Sequence, residues 1–226
     1  MKIACISDLH GEFPELESGD LLLIAGDHTS NDSIIAWKSF YDWLQRQDYK
    51  KKVMIAGNHD QFLAYCVPYG TFSDSELEEM YSEVSHNTVY LKDNGIEYEG
   101  LKIWGSPWSV YFDYVNPHCA AFMLHESQLQ VKFNLIPGDT DILVTHSPPY
   151  SILDRGGEYN HQLGSVALYN EYRLKRISPK IHVFGHIHEA QGIVKDHELS
   201  PNTVFVNASH MDRYYQPTNK PTYLEI

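Results

Sequence analysis

The chain has 226 residues, enough for a substantial core, and its 42% hydrophobic and 21% charged content excludes a disordered class. A net charge of −13 argues against a surface that grips long nucleic acid, but not against a small phosphate ester held beside cations. No apolar run approaches the ~20 residues of a bilayer span, and "MKIACISDLHGEF" reaches Asp8 and His10 too early for the apolar segment of a signal peptide.

In chain order, apolar runs end in polar clusters. "KIACIS" (2–7) ends at Asp8, with His10 two residues on, and "DLLLIAG" (20–26) ends at Asp27, followed by His28. "SIIAWKSFYDWLQRQ" (33–47) places Ile34, Ile35, Trp37, Phe40, Tyr41 and Leu44 largely on one face and predicts a helix capped within Asn31 to Ser33. "KVMIAG" (52–57) delivers Asn58, His59 and Asp60. A second helix is predicted over 73–84, where Ser73 and Glu76 have capping-box spacing, and a third over 118–133. "DILVT" (141–145) ends at His146, and "IHVFG" (181–185) at His186, with His188 beyond. Between and after these lie shorter alternating strands, "IEYEG", "LKIWGS", "TVFVN" and "TYLEI".

Continuous apolar runs flanked by glycine predict strands buried on both faces. The expected fold class is α/β, with two packed mixed β-sheets flanked by helices, and residues 1–226 read as a single domain because no repeat or linker divides them. Cys5, Cys66 and Cys119 form no CxxC pair, so neither a disulfide framework nor a thiolate metal site is expected, and a cytoplasmic location is the default.

Ligands in α/β sheets bind at the carboxyl ends of strands. Five ends here present carboxylate, amide and imidazole donors, a set that suits Mn²⁺, Fe or Zn²⁺. Singly, each residue is an ordinary turn or cap former. Gly-Asn-His-Asp is more specific, since chance would give on the order of 0.003 occurrences in this composition.

The series D-L-H (8–10), G-D (26–27), G-N-H-D (57–60), T-H (145–146) and G-H-I-H (185–188) resembles the calcineurin-like metallophosphoesterase superfamily. "GSPW" (105–108), "NLIPGDTDILVTHSPP" (134–149), "HVFGHIHEAQG" (182–192) and "VNAS" (206–209) resemble more closely its small metallophosphoesterase-domain-containing group. The chain departs from that group at His28, where an aromatic residue is usual, and at Ser147, where glycine is usual. It keeps His186, where some members have glycine. The resemblance implies an α/β/β/α sandwich around two divalent metal ions, Mn²⁺ favoured. Asp8, His10 and His188 would bind one ion, Asn58, His146 and His186 the other, and Asp27 would bridge them. His59 would be the general acid, oriented by Asp60.

The implied activity is hydrolysis of small phosphate esters by metal-activated water. Phosphodiesters come first, with (cyclic) nucleotides among them, and no membrane or long nucleic acid as partner. A phosphomonoesterase or phosphoprotein phosphatase, and a catalytically silent binding protein, are the alternatives. His28, Asp154 and His161 are open between substrate contact and plain packing or solvation. The aromatic stretch "WSVYFDY" (108–114) is open between stacking on a nucleobase and packing.

Overall fold

The computed structural model describes residues 1–31, 33–65, 87–113 and 117–226. Alternate residues of an extended chain point to opposite faces, and that period distributes the apolar runs over three cores. The first sheet holds β1 (Lys2–Ile6), β2 (Gly19–Ala25), β3 (Tyr49–Ile55), β4 (Thr88–Tyr90) and β15 (Thr222–Glu225) in the order β15-β1-β2-β3-β4. All neighbours pair in parallel except β15, which is antiparallel to β1.

The second sheet runs β13-β14-β12-β9-β6-β5, from β5 (Asn94–Tyr98), β6 (Leu101–Ser106), β9 (Ile142–Thr145), β12 (Ile181–Phe184), β13 (Gly192–Val194) and β14 (Val204–Asn207). Its middle pairs are parallel and its two edge pairs antiparallel. Two small ribbons, β7 (Ser109–Val110) with β8 (Met123–Leu124) and β10 (Arg155–Gly156) with β11 (His161–Gln162), lie outside the sheets.

Ile3, Cys5, Leu21, Leu23, Val53 and Ile55 of the first sheet meet Ile103, Ile142, Val144, Ile181, Val183 and Val206 of the second. Their neighbours Ala4, Ile6, Leu22, Ile24 and Met54 face outward to Trp37, Phe40, Trp43 and Leu44 of α1 (Ile34–Arg46). A short helix, α2 (Gln61–Tyr65), follows the β3 end. On the far side, Leu143, Phe184 and Phe205 pack with Leu129 and Phe133 of α3 (Glu126–Phe133) and with Leu168 and Tyr172 of α4 (Val166–Arg173). The layers are therefore helix, sheet, sheet, helix, as the sequence patterns predict. No helix among the described residues is long and apolar enough to cross a membrane.

One predicted helix is shorter than expected. Only 126–133 of the 118–133 segment is α-helical; Pro117–Cys119 is a 3-10 turn and Met123–Leu124 is strand. The cause is tertiary. Ala121 N–H donates to Asn58 O, Asn58 Nδ2 donates to Cys119 O, and Phe122 takes a left-handed φ of 53° that no helix continues. The helix expected over 73–84 lies outside the described residues.

Candidate metal centre

Strand ends from both sheets converge on one cluster. Asp8 and His10 follow β1, Asp27 follows β2, Asn58 and His59 follow β3, His146 follows β9, and His186 and His188 follow β12. Asp8, His10 and His188 bring one ligand atom each within 4.8 Å of one another; Asp27, His146 and His186 do the same, and His10, Asp27 and His59 form an overlapping third group.

Four of these residues stand in the left-handed region, at φ 52° for Asp8, 44° for His10, 55° for Asp27 and 70° for His186. Each such position costs about 1–3 kcal/mol and persists only where the surroundings enforce it. Here they do. Asp8 N–H donates to Gly26 O (3.0 Å), His10 N–H to Asp27 O (3.0 Å), and Asp27 N–H to Asp60 Oδ2 (2.9 Å). His186 N–H donates to Asp8 Oδ2 (3.0 Å), so the β12 end is tied directly to the β1 end. Gly185 is required by that approach, because a Cβ there would run into the Asp8 carboxylate and the Ser7 side chain.

Hydrogen bonds also aim the imidazoles. His146 Nδ1 lies 2.8 Å from Ala25 O and His188 Nδ1 3.2 Å from Asp212 O, so each donates from Nδ1 and turns Nε2 inward. His146 Nε2 then sits 3.3 Å from Asp27 Oδ2 and 2.9 Å from Asn58 Oδ1, and His188 Nε2 sits 3.3 Å from Asp8 Oδ1. His10 Nε2 and His186 Nε2 are buried with no hydrogen-bond partner. Buried orphan nitrogens are costly unless something coordinates them. Clustered carboxylate and imidazole donors of this kind fit divalent cations.

The charges agree with that arrangement. Burial alone would raise the Asp8 carboxyl, yet His188 and then His146 hold it well below the usual carboxylate range. Asp27 behaves likewise, burial being outweighed by His146 and His59. Burial pulls His146 down, but Asp27 overrides it and lifts the imidazole to about 9; Asp8 similarly raises His188 against burial. Burial drives His10 down to about 4 and His186 to about 3.

The remaining expected site residues lie elsewhere. Asp60 does not orient the His59 ring. Its carboxylate accepts N–H groups from Asp27, His28 and Gly57, at 2.9, 3.0 and 2.7 Å, clamping the β2 and β3 loops together. His28 is fully buried between Trp37 and Phe40, with ring centroids 5.5 and 4.5 Å away, so it packs rather than reaching substrate. Its Nδ1 lies 2.9 Å from Asp60 Oδ2, though out of line for a hydrogen bond. Asp154 is buried and accepts from Ser151 and Gly164 N–H; it also lines a cavity of about 430 Å³ with Arg155 and Glu189. His161 is exposed on β11 against Tyr159, in none of the ligand groups.

Supporting residues come from the segment after β14, where Ser209 closes the VNAS motif and Tyr215 lies outside every motif. Ser209 Oγ donates to Asp8 Oδ2 (2.8 Å), and Tyr215 places its ring against His10, His59 and His188. The dipeptide Tyr214-Tyr215 beside Asp212 was the available signal, but exposed loop tyrosines are common.

Comparison with known proteins agrees with this geometry. Residues 1–190 match the family described as "Calcineurin-like phosphoesterase". The chain belongs to the calcineurin-like phosphoesterase family. Metallophosphoesterase domain-containing protein 1 of Homo sapiens is 35% identical over 240 residues, covering 100% of this chain and 71% of the relative. UPF0046 protein K07C11.7 of Caenorhabditis elegans is 29% identical over 232 residues, covering 100% and 75%. A solved crystal structure superposes at TM-score 0.67 with 14% identity over 99% of this chain and 98% of the other. TT1561 of Thermus thermophilus does so at TM-score 0.58 with 13% identity over 91% and 88%. At those identities the structural likeness concerns the fold. Membership of the calcineurin-like phosphoesterase family supports a divalent-metal-dependent phosphoesterase acting on a small phosphate ester.

Proposed function

We propose that the protein is a phosphodiesterase using two divalent cations, Mn²⁺ first among them, with His59 as general acid. Asp8, His10 and His188 would hold one cation and Asn58, His146 and His186 the other, with Asp27 shared between the two sets. Bound there, the cations would supply Lewis-acid polarisation of the phosphoryl group and a more acidic attacking water. The chain's own contribution is placement. His59 N–H donates to Asp27 Oδ1 (2.8 Å), and its ring stands edge-on to His10 at 4.6 Å, which puts a half-buried imidazole beside the ligand set. From there it can protonate a departing ester oxygen.

The observation that carries the diester reading is the disposition of arginine. A monoester presents a dianion at neutral pH, and planar guanidinium groups are well suited to clamp it. Among the described residues, none of the five arginines is hydrogen-bonded to a residue of the cluster. Arg176 bonds Glu171 and the carbonyls of Phe133 and Ile136, Arg173 bonds Asn170, and Arg155 bonds Asn160 O. Arg213 lies over the Tyr214 ring and Arg46 ends α1. A monoanionic diester, cyclic nucleotides included, asks for less compensating charge than a monoester.

The test compares bis(p-nitrophenyl) phosphate with p-nitrophenyl phosphate and with an alkyl phosphodiester under Mn²⁺, using wild type and His59→Gln. Diester turnover should dominate. His59→Gln should lower kcat about 10²-fold for a diester with a poorly departing alkoxide, and less for nitrophenolate, which needs little protonation. Equal loss for both leaving groups, at full metal content, would remove the acid role. A strong monoester preference would promote the phosphatase reading.

A further inference from the structure

Two aromatic side chains outside the ligand set stand against it, one on each metal group. The Tyr215 ring lies 5.0 Å from His10 and 4.9 Å from His188, both edge-on, and 6.4 Å from His59. The Phe112 ring lies parallel to His186, at 6.0 Å and 6°. His10 and His188 belong to the first group and His186 to the second. Each group thus carries one aromatic ring against a histidine.

Tyr215 is held there against its own preferences. It takes φ 56°, which a bulky residue adopts only under constraint, and remains 53% exposed. The turn that fixes it is built on Asp212, whose Oδ1 accepts from Tyr214 N–H (2.8 Å) and Gln216 N–H (3.0 Å). Tyr215 N–H donates to Asp212 O (3.0 Å), the carbonyl that also accepts from His188 Nδ1. The Tyr215 backbone and a metal-group histidine are therefore anchored to the same carbonyl. A half-exposed aromatic ring held this way adds little to any core, whereas its free surface offers a stacking platform.

We infer that Tyr215 and Phe112 are substrate-contact residues that hold the two organic arms of a phosphodiester, with a planar aromatic arm stacked on Tyr215. This rests on the phosphodiester reading and deepens it. A monoester has one arm and would use one ring; a diester spans both groups and uses both. Stacking of a flat ring on an aromatic side chain is favourable enough to select aryl or nucleobase esters over alkyl ones by about tenfold.

The experiment measures binding rather than turnover, with dimethyl-, methylphenyl- and diphenylphosphinate titrated calorimetrically into the Mn²⁺-loaded protein. These monoanions mimic a diester and cannot be hydrolysed. Wild type should bind methylphenylphosphinate about tenfold tighter than dimethylphosphinate, and diphenylphosphinate tighter again. Tyr215→Leu should erase the first step, Tyr215→Phe should restore it, and Phe112→Leu should erase the second, with metal content and melting temperature checked in each. Adenosine 5′-monophosphate against ribose 5-phosphate distinguishes the source of the arm. A preference for the former assigns a nucleobase, and a phenyl preference without it assigns a simple aryl group; both support the inference. Equal affinity for all three phosphinates would overturn it while leaving the phosphodiesterase reading intact. No binding of any, with both metals loaded, would overturn both.

Discussion

Of the thirteen histidines, His182 shows what the same side chain does when it is held neutral in a core. Thr145 Oγ1 gives its one hydrogen to Ser147 O (2.7 Å), so His182 Nε2–H must donate to Thr145 Oγ1 (2.9 Å). Tyr172 O–H then donates to His182 Nδ1 (2.8 Å). Both bonds together require the neutral ring, and burial pushes its pKa down to about 3. The unfolded chain has an ordinary histidine at about 6.5. Between those values the unfolded state binds the extra proton, so stability is full above about 6.5 and is lost as pH falls toward 3. The loss is about 2 kcal/mol between pH 7 and pH 5. Urea unfolding of the chelated protein should show His182→Gln losing less on acidification than wild type by about that amount. Equal losses would show that His182 is not the group responsible. The network fixes the Thr145–His146–Ser147 turn from behind, which gives His182 a supporting role that its sequence spacing does not reveal. Asp60 fails as an expected partner of His59 for the converse reason. Adjacent residues in a turn point apart, and its carboxylate is drawn to three inward N–H groups.

At the scale of elements, α3 reaches the α4 N-terminus through a single carboxylate. Glu126, the first residue of α3, accepts from Val166 N–H and Ala167 N–H (both 2.8 Å) and from Ser165 Oγ (3.0 Å). Ser165 Oγ in turn accepts from Leu168 N–H (3.2 Å). The α4 N-terminus is thus capped by its own serine and by a carboxylate forty residues earlier, the sign its dipole favours. Glu126→Ala should destabilise by about 1–2 kcal/mol in chemical denaturation, and Glu126→Gln by less, because one oxygen acceptor remains. No difference between Ala and wild type would mean that water replaces the cap without cost. This link also marks the limit of local reading. The five strands that end at the site, and α1, were legible because each carries its own apolar pattern. The α4 helix was not, since it has only eight residues and part of its N-terminal capping comes from α3. The overextended 118–133 helix has the same origin. The contacts of Asn58 with Cys119, sixty-one residues away in sequence, and with Ala121 tell the chain where to break.

For the molecule as a whole, the ligands come from β1, β2 and β3 of one sheet and from β9 and β12 of the other, so two cations would knit the sheets together at their carboxyl ends. That convergence was legible because the strand-end rule needs no tertiary detail. The rings and carbonyls that frame it, Tyr215 and Asp212 among them, carry no spacing of their own. A site split over both sheets exists only in the folded chain, so cation binding must stabilise the fold by mass action. The gain is about 2.7 kcal/mol at a free concentration one hundred times Kd, which for a chain of this size is a rise in Tm of roughly 5–10 °C. The net charge of −13 supplies a competing explanation, because any cation screens self-repulsion. The two mechanisms separate cleanly. Screening depends on ionic strength and is indifferent to Asp27, whereas coordination is specific to the metal and needs that carboxylate. Mn²⁺ should raise Tm well beyond NaCl of equal ionic strength, chelation should reverse the shift, and Asp27→Asn should abolish most of it. If Asp27→Asn keeps the whole Mn²⁺ shift, the cations act on the acidic surface and the strand-end cluster is not where they bind.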